Sequence, residues 1–433
     1  MKLIDIIEKT ITGDWGCENY SSDTPCAVNC IRSADIVPYY NHVYNGVPVR
    51  YITESSLRTR KLIEGDIIIE KSGGTNDCST GRPMYVSDKL LAENPELVCS
   101  NFCSAIRIKE GWCSKYVYYF LRFVHGKGVF HHFEGKTSGI HNLQMENAFS
   151  TIDMPDLSLE EQEKVADVLS NIENKVFLNL KQNETLEQMA KQLYDYWFLQ
   201  FDFPDENGKP YKSSGGAMVY NEQLKREIPE GWEVKSIGEC ITTNRGHSYT
   251  GENLSPNGIP MINLASFTPN GKYNPNGIKF YEGKISKDKQ LKPYDLVICN
   301  TQQTAIDFTK DIIGRALLVP DIFEGNDIIS SHHVTTIKCN KDNLRFYFYY
   351  LFNSDFFHKY ISKHTNGTNI LGLIMSGLTD YKTFIPEESI LKPFASFVMD
   401  IHSKMCNNIK NTSNMNAYFK EMLPLLITGQ AKL

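Results

Sequence analysis

The chain has 433 residues, enough for about two or three domains, and 41% of them are hydrophobic, as in ordinary folded proteins. No apolar run is long enough to cross a bilayer, and the amino-terminal MKLIDIIEKT lacks a signal-peptide pattern. The 11 cysteines include no CxxC pair. These features exclude a membrane-spanning protein and a disulfide framework, and they predict a cytoplasmic protein.

The net charge of −6 argues at first against a nucleic-acid partner, but the acidity is unevenly placed. Residues 156–231 hold 8 basic and 15 acidic residues, net −7, whereas the segments on either side are close to neutral. Because a near-neutral domain can still carry a basic face, a nucleic-acid partner is not excluded.

Residues 1–157 predict a first mixed domain. Gly65-Asp66 followed by three isoleucines is typical of a turn and a buried strand, and a polar loop follows from Lys71 to Asn76. The segment SKYVYYFLRFV, residues 114–124, predicts a short aromatic helix, and Pro155 closes the block.

Residues 158–198 predict a long helix. The stretch from Leu159 to Trp197 has no proline or glycine, and Ser158 with Glu161 fits an N-terminal capping box. Polar Asn179 and Asn183 fill the middle of a heptad register whose other a and d positions are apolar. Those apolar positions are Val165, Leu169, Ile172, Val176, Leu186, Ala190, Leu193 and Trp197.

The second half of the chain repeats the first. A connector rich in proline and glycine, residues 199–231, leads to a second mixed domain, residues 232–386. Matched features recur in the same order across the whole half-chain, which indicates a duplication. The matches are Ile6 with Ile237, Leu62-x-x-Gly65-Asp66 with Leu291-x-x-Tyr294-Asp295, Gly81-Arg82 with Gly314-Arg315, Thr137 with Thr368, and Pro155 with Pro386.

Residues 387–433 predict a second long helix and a tail. The heptad positions return as Phe394, Val398, Ile401, Met405, Met415, Phe419, Met422 and Leu426. Their polar middle is Asn408 and Thr412, so antiparallel pairing places Asn179 near Thr412 and Asn183 near Asn408. The predicted fold is α+β: two repeated α/β domains separated by an antiparallel two-helix coiled-coil spacer, with approximate two-fold symmetry. Pro424 predicts fraying of the last turn.

Several stretches resemble the DNA-specificity subunit of type I restriction–modification systems, and the resemblance covers the whole chain. They are EEQEKVADVLSNIENKV (residues 160–176), LEQMAKQLYDYWFLQFDFPDENGKPYKSSGGAMV (186–219), REIPEGWE (226–233) and LPLLITGQAKL (423–433). One departure is visible: IPEGW opens the second domain, but the first begins at Met1 with only TGDWG in a comparable place.

The resemblance implies a non-catalytic subunit with two target-recognition domains. Each would read half of a bipartite, asymmetric site in double-stranded DNA, and the helices would set the gap between the halves. It further implies two methyltransferase subunits, which use S-adenosylmethionine, and two restriction/translocase subunits, which use ATP and Mg. This chain itself would hold no cofactor.

Motifs for catalysis and metal binding are missing or weak. The chain has no Pro-Pro for an adenine methyltransferase pocket, and Gly135-Lys136-Thr137 lacks the first glycine of a phosphate loop. Cys26 and Cys30 with His42 have no matched second pair, so we interpret the cysteines as structural and expect no metal. The pair His332-His333 is interpreted as solvated or lying at the edge of the core.

Two repeated loops carry the side chains that DNA recognition needs. The loop after the buried strand differs between the halves, as expected for base reading; its residues are Lys71, Ser72, Thr75, Asn76 and Arg82, and then Thr301, Gln302, Gln303 and Arg315. The loop before the closing strand is alike in both, as expected for phosphate contact; its residues are Lys136, Thr137 and Ser138, and then Thr368 and Asn369. In the alternative interpretation, the two arginines form structural turns and pair with carboxylates.

Other functions stay open at this point. A single-chain methyltransferase or nuclease conflicts with the missing motifs. A coiled-coil adaptor that binds only protein, or a specificity subunit of another restriction–modification type, fits the layout as well.

Overall fold

A computed structural model describes residues 1–40, 46–74, 78–137, 140–303, 310–323, 325, 327–368 and 370–433, without the side chains of residues 136, 137, 140 and 303. The chain separates into two compact units. The first unit is residues 1–178 with 412–433, and the second unit is residues 179–411. Within these described ranges, no helix has the length and apolarity that a membrane span requires.

The first unit contains three small sheets. Its strands are β1 Ile7–Thr12, β2 Cys26–Ile31, β3 Val49–Ile52, β4 Ile67–Glu70, β5 Ser72–Gly74, β6 Pro83–Tyr85, β7 Leu97–Cys99, β8 Cys103–Ile108, β9 Glu134–Thr137 and β10 Ile140–Leu143. They form sheets in the orders β1-β8-β4-β6, β3-β2-β7 and β5-β10-β9. The short helices are α1 Ser33–Tyr40, α2 Glu54–Arg60, α3 Asp88–Glu93, α4 Ser114–Gly126 and α5 Met145–Thr151.

Two long helices pass through both units: α6 Leu159–Tyr194 and α10 Glu388–Ile427. The second unit has the helices α7 Leu344–Asn353, α8 Asp355–Ile361 and α9 Met375–Thr379. Its strands are β11 Met218–Asn221, β12 Arg226–Pro229, β13 Glu233–Ser236, β14 Ile241–Arg245, β15 Leu254–Ile262, β16 Lys279–Tyr281, β17 Gln290–Leu291, β18 Leu296–Cys299, β19 Thr301–Gln303, β20 Ala316–Leu318, β21 Ile328–Ser330, β22 Val334–Cys339, β23 Thr365–Asn366, β24 Ile370–Leu373 and β25 Lys382–Ile385.

The two units repeat the same strand connections, which confirms the predicted duplication. The antiparallel sheet β1-β8-β4-β6 returns as β14-β22-β18-β20, and β5-β10-β9 returns as β19-β24-β23. The third sheet keeps its parallel pair, β2 with β7 and β15 with β21, and gains β17 in the second unit. The predicted mixed fold with repeated domains and two long helices is therefore confirmed.

Backbone geometry shows which residues of the two units are equivalent more accurately than the sequence does. Gly65 and Tyr294 both have positive φ, 86° and 67°. The Leu3 and Ile237 amides make equivalent hydrogen bonds, to the carbonyls of Ile152 and Tyr381. The predicted match of Ile6 with Ile237 is therefore wrong by three residues, because the turn that precedes β1 shifts the count.

The long helices begin and end as local chemistry dictates, with one exception. The predicted capping box is present: the Ser158 amide donates to Glu161 Oε2 at 2.9 Å, and the Glu161 amide donates to Ser158 Oγ at 3.3 Å. The expected fraying at Pro424 is wrong, because α10 continues to Ile427, and Leu426 and Ile427 are fully buried. Burial of this apolar turn compensates for the hydrogen bond that proline cannot donate.

Each unit packs its helix segments onto its own sheets. In the first unit, the aromatic helix α4 packs with Val165 and Leu169 of α6 and with the end of α10. In the second unit, α7 packs with Tyr194, Phe198 and Phe394. These clusters place a hydrophobic core between the four-stranded sheet and the helices of each unit.

A polar pair lies between the helix segments of the second unit, as predicted. The Asn408 side-chain amide donates to Asn183 Oδ1 at 2.8 Å, and the Asn183 amide donates to the Met405 carbonyl at 3.3 Å. This antiparallel contact fixes the helix register. Asn179 and Thr412 belong to different units, and their pairing stays a prediction.

The connector is packed onto the core of the second unit. Phe203 stacks on Trp232 with ring centroids 5.2 Å apart and on Tyr211 at 4.7 Å. The hairpin β11–β12 follows and leads into β13, which pairs with β25. In the first unit, a single bridge between Lys2 and Asp153 stands where β13 pairs with β25. The strand that opens each domain is therefore paired differently. This agrees with the sequence, in which IPEGW precedes only the second domain.

Candidate DNA interface

The two predicted loops of each half come together as neighbouring strands. In the first unit, β5 follows Lys71 and pairs with β10, which pairs with β9 across residues 134–137. In the second unit, β19 begins at Thr301 and pairs with β24, which pairs with β23. The Lys71 and Asn300 carbonyls accept matching hydrogen bonds, from the Leu143 amide at 2.8 Å and the Leu373 amide at 2.9 Å.

Some of the predicted residues fall outside what the structure describes. Thr75, Asn76, Ser138 and Asn369 lie in the undescribed positions, and only the backbone is described for Lys136, Thr137 and Gln303. Lys71 is half-buried and Thr368 is exposed, so both side chains are accessible to a ligand. Ser72 is buried, and its hydroxyl donates to Asn142.

Arg82 belongs to a buried ion pair that shapes its loop. Its Nε donates to Glu70 Oε2 at 2.7 Å, and its Nη2 binds the other oxygen of that carboxylate. Glu70 is completely buried, and the Arg82 side chain is 22% exposed. The hydrogen bonds to Glu70 raise the pKa of the Arg82 guanidinium. This geometry corresponds to the structural-turn interpretation, and DNA contact by Arg82 stays a prediction.

A second buried carboxylate supports the same edge of the first unit. Glu134 accepts hydrogen bonds from the Thr80 amide at 2.6 Å, from the Thr80 hydroxyl at 2.9 Å and from His141 Nδ1 at 2.9 Å. Burial alone would raise the pKa of Glu134, but these hydrogen bonds outweigh it and lower the pKa below its ordinary value. The carboxylate therefore ties β9 and β10 to the loop before Arg82.

The matching arginine of the second unit has a different role. Cys299 stands where Glu70 stands in the first unit, and the Arg315 Nη1 donates instead to the Asn353 carbonyl at 2.9 Å. Arg315 is 7% exposed, and burial lowers its pKa. The same Gly-Arg motif therefore holds a carboxylate in one unit and a helix end in the other.

Two predicted reading residues of β19, Thr301 and Gln302, point inward. Gln302 Oε1 accepts from the Ile312 amide at 2.6 Å, and the Thr301 hydroxyl donates to Asn300 Oδ1 at 2.8 Å. Gln302 is 5% exposed and Thr301 is 8% exposed. In this conformation they hold the loop in place, and base contact by them stays a prediction.

Two glycines make the same close approach in both units and define matching positions on the sheet edge. A Cβ added to Gly13 would lie 1.9 Å from the Ser100 carbonyl oxygen, and one added to Gly246 would lie 2.2 Å from that of Ser331. Asp14 and His247, which follow the two glycines, donate their amides to the Cys99 and Ser330 carbonyls. The matching side chains are therefore Thr12 and Arg245, Asp14 and His247, Asn101 and His332, and Phe102 and His333.

In the first unit, this edge carries balanced charge. Asp14 accepts the Ser56 hydroxyl and, at 3.0 Å, the Gly16 amide. Arg50 lies 4.0 Å from the Trp15 ring centroid and forms a 3.2 Å ion pair with Glu18. Phe102 is 54% exposed at the same edge and offers an apolar surface.

In the second unit, the same edge is cationic. The Arg245 Nε donates to the His332 carbonyl at 2.8 Å, and the His332 and His333 ring centroids are 3.9 Å apart. Lys289 donates to the Arg245 carbonyl at 2.7 Å, and Lys279 donates to the Tyr249 hydroxyl at 3.1 Å. Burial lowers the pKa of both histidines, and the charge of Arg245 adds to this.

We call the cations Arg245, Lys279 and Lys289, together with the neighbouring histidines His247, His332 and His333, the cationic edge. It lies beside the predicted loop, because β14 ends, β22 begins and β18 leads into β19 at one end of the same sheet. Sequence reasoning missed this cluster. The available signal was that Arg245-Gly-His247 stands where the first half has Thr12-Gly-Asp14.

A known DNA-specificity family matches most of the second half of the chain. Residues 229–413 match the family model described as the type I restriction modification DNA specificity domain. In the described part of the chain, no group of three or more histidine, cysteine, aspartate or glutamate residues could hold a metal ion.

Two relatives and one solved structure are similar to most of this chain. The MjaIX type I restriction enzyme specificity subunit of Methanocaldococcus jannaschii is 26% identical over 91% of this chain and 84% of its own length. The MjaVIII specificity subunit of the same organism is 24% identical over 73% of this chain and 70% of its own. The fold is similar to that of the type I S subunit from M. genitalium, with a TM-score of 0.58 at 11% identity over 98% of this chain and 95% of that one. The chain therefore matches the type I specificity domain at residues 229–413 and is similar to a type I specificity subunit over 91% of its length.

Proposed function

We propose that this subunit reads a bipartite, asymmetric DNA site, with one half read by each unit. The observation that carries the proposal is the repeated strand topology with different chemistry at matching edges. A shared frame presents each edge to DNA in the same way, and different side chains on that frame select different bases. A chain with two unlike readers therefore recognises two unlike half-sites.

Each three-stranded sheet contributes to the DNA contact. Lys71 in the first unit and the exposed Thr368 in the second bind phosphate or base edges, together with the undescribed loop residues Thr75, Asn76, Ser138 and Asn369. The sequences at residues 135–139 and 366–369 both contain glycine and threonine, residue types that suit contact with phosphate oxygens. The residues bound inward, namely Ser72, Arg82, Thr301, Gln302 and Arg315, position these loops.

The chain also scaffolds catalytic partners. It has no Pro-Pro motif for an adenine pocket, so methyl transfer falls to two methyltransferase subunits that bind S-adenosylmethionine. Two restriction subunits with ATP and Mg carry out translocation and cleavage. Support comes from the names of the relatives, each called the specificity subunit of a restriction enzyme.

Mapping of methylated adenines by single-molecule sequencing tests the proposal. Cells that express the chain with its methyltransferase partner should show one bipartite motif, and cells with the partner alone should not. A methylated motif that is continuous, or that persists without the chain, overturns the proposal.

Substitution in one unit then separates the two half-sites. The double change Gln302→Ala and Gln303→Ala should relax base preference in one half-site only, because it loosens the loop of the second unit. The matched change Lys71→Ala should act only on the other half. Effects on both half-sites from either variant would show that the units do not read independently.

Salt dependence distinguishes DNA reading from the alternative of a protein-only adaptor. The complex should bind its site with an affinity that falls steeply with salt, since phosphate contacts release counterions. An adaptor would give no sequence-dependent shift at any salt concentration.

A further inference from the structure

Arg245 is held in a geometry suited to recognition of a planar acceptor pair. It is the last residue of β14, and its side chain is exposed. Within the described ranges, its side chain makes one hydrogen bond, from Nε to the His332 carbonyl at 2.8 Å. Among the described residues, no carboxylate forms an ion pair with Arg245. Both terminal nitrogens therefore remain available as a two-pronged donor.

The surroundings of Arg245 fix its position before any ligand arrives. Its own carbonyl accepts from Lys289 Nζ at 2.7 Å, and the same ammonium binds Asn244 Oδ1 at 2.7 Å. The neighbouring Gly246 packs against the Ser331 carbonyl too closely for any side chain. A guanidinium anchored through Nε and through its backbone loses less entropy on binding than a freely moving side chain does.

The comparison between the units favours base contact over phosphate contact. Phosphate contacts are independent of sequence and belong to the part of the fold that both halves share. Arg245 is not shared, because Thr12 occupies the matching position in the first unit. The ammonium of Lys289 beside it is engaged by Asn244, the Arg245 carbonyl and Asp288, whereas the exposed fork of the arginine matches guanine O6 and N7.

The neighbouring histidines His332 and His333 complete the site without repelling the arginine. The Nδ1 atoms of His332 and His333 are buried, and within the described residues neither has a hydrogen-bond partner. Since burial lowers the pKa of both rings, they are neutral around pH 7 and add no positive charge beside Arg245. His332 positions the Arg245 guanidinium because its carbonyl accepts the hydrogen bond from Nε.

We propose that Arg245 reads a guanine in the major groove of the half-site that belongs to the second unit. The inference rests on the proposed function, since it assigns one base contact within that reading activity. It names the base class and the residue, neither of which follows from the family.

The test uses the full chain with its methyltransferase partner and the variants Arg245→Gln and Arg245→Lys. Glutamine has the donor and acceptor that suit adenine, so R245Q should lose guanine at one position and gain adenine there. Competition binding with the four bases at that position should show guanine preference falling by on the order of ten-fold or more. R245K keeps the charge and should retain guanine with weaker preference.

Lys338→Ala is the matched control. Lys338 is exposed on β22 near the opposite end of the same sheet, where it pairs with Thr242, and it carries the same charge. K338A should leave the methylated motif unchanged. Thermal unfolding of each variant confirms that the second unit stays folded.

Two outcomes overturn the inference while leaving the proposed function intact. One is a wild-type motif that has no guanine in the half-site altered by the Q302A/Q303A change. The other is an R245Q variant that binds all sequences more weakly with unchanged base preference, which identifies a phosphate contact. A wild-type complex that gives no bipartite motif instead refutes the proposed function itself.

Discussion

The two units use one backbone plan with different side chains at its key positions. Both keep the tight glycine before the sheet edge, the positive-φ turn before the buried strand and the Gly-Arg motif after it. The buried Glu70 of the first unit becomes Cys299, and Thr12 and Asp14 become Arg245 and His247. Backbone constraints therefore maintain the fold in both units, while charge and side-chain shape at the edge differ between them.

The largest expected difference concerns the two matched arginines. Arg82→Ala should destabilise the first unit by about 3–5 kcal/mol, because the fully buried Glu70 loses its partner. Arg315→Ala removes a hydrogen bond to the Asn353 carbonyl and leaves no buried glutamate unpaired at the position of Cys299. It should therefore reduce the stability of the second unit by about 1–2 kcal/mol. Hydrogen exchange read by mass spectrometry resolves the two units, since each variant should speed exchange in its own unit only.

A double variant checks the cause of the larger effect. Glu70→Met with Arg82→Met removes the charge pair together, and it should recover most of the stability lost in R82A. Equal losses from R82A and R315A, or no recovery in the double variant, would show that the ion pair is not what distinguishes the units.

The units should also differ in acid stability. Burial lowers the pKa of His402 to about 4, and burial with the charge of Arg315 lowers that of His358 to about 4. The unfolded chain, with histidine pKa values of about 6.5, binds more protons than the folded chain between these pH values. The second unit should therefore lose up to about 3 kcal/mol per histidine as pH falls from 6.5 to 4.

The first unit meets its main loss at lower pH. The lowered pKa of Glu134 contributes stability above its ordinary value of 4.5, and this is lost as pH falls through the folded pKa. His125 also has a lowered pKa, with a smaller shift than His402, so it adds a smaller loss below pH 6.5. At pH 5 a protease should cleave the second unit before the first. His402→Leu should make cleavage of the second unit slower. Simultaneous opening would contradict the comparison.

The shared backbone plan predicts equal effects at the matched glycines. A Cβ at Gly81 would lie 2.4 Å from the Phe130 ring at φ 96°, and one at Gly314 would lie 2.5 Å from Ile361 at φ 74°. Gly81→Ala and Gly314→Ala should each destabilise their unit by about 2 kcal/mol or more. Gly111→Ala is the control, with φ 86° and open space around it, and should cost about 1 kcal/mol. Chemical denaturation measures the loss of unfolding free energy in each variant. Unequal losses for G81A and G314A would show that the units share their strand order but not the same backbone constraints.

The smallest expected effect concerns the polar pair in the helices. Asn183→Leu should destabilise the second unit by about 1 kcal/mol, because the Asn408 amide keeps only Gln182 Oε1, at 2.9 Å. The double change to leucine should restore or raise stability while it weakens the fixed register. A double-mutant cycle by chemical denaturation measures the coupling, and additive effects would show that the two amides act independently.

Local signals made the repeat and the long helices predictable, but the interface depends on contacts that are distant in sequence. Heptad spacing and the Ser158–Glu161 box act within a few turns of helix. The inward direction of Gln302 depends on the Ile312 amide across a loop, and that of Arg82 depends on the buried Glu70. The residues of the cationic edge come from four separate segments of the chain, which the fold brings together. A count of charges along the sequence therefore could not detect the cluster.

The distribution of thiols gives each unit a different chemical reactivity. Cys17 and Cys78, the exposed cysteines, both belong to the first unit, and Cys78 lies between Asn76 and Arg82 of its predicted DNA loop. Burial raises the pKa of Cys299 in the second unit to about 12, so this thiol stays protonated and slow to alkylate. Maleimide should therefore label the first unit selectively, and protection of Cys78 by an oligonucleotide would test the proposed DNA contact of that unit.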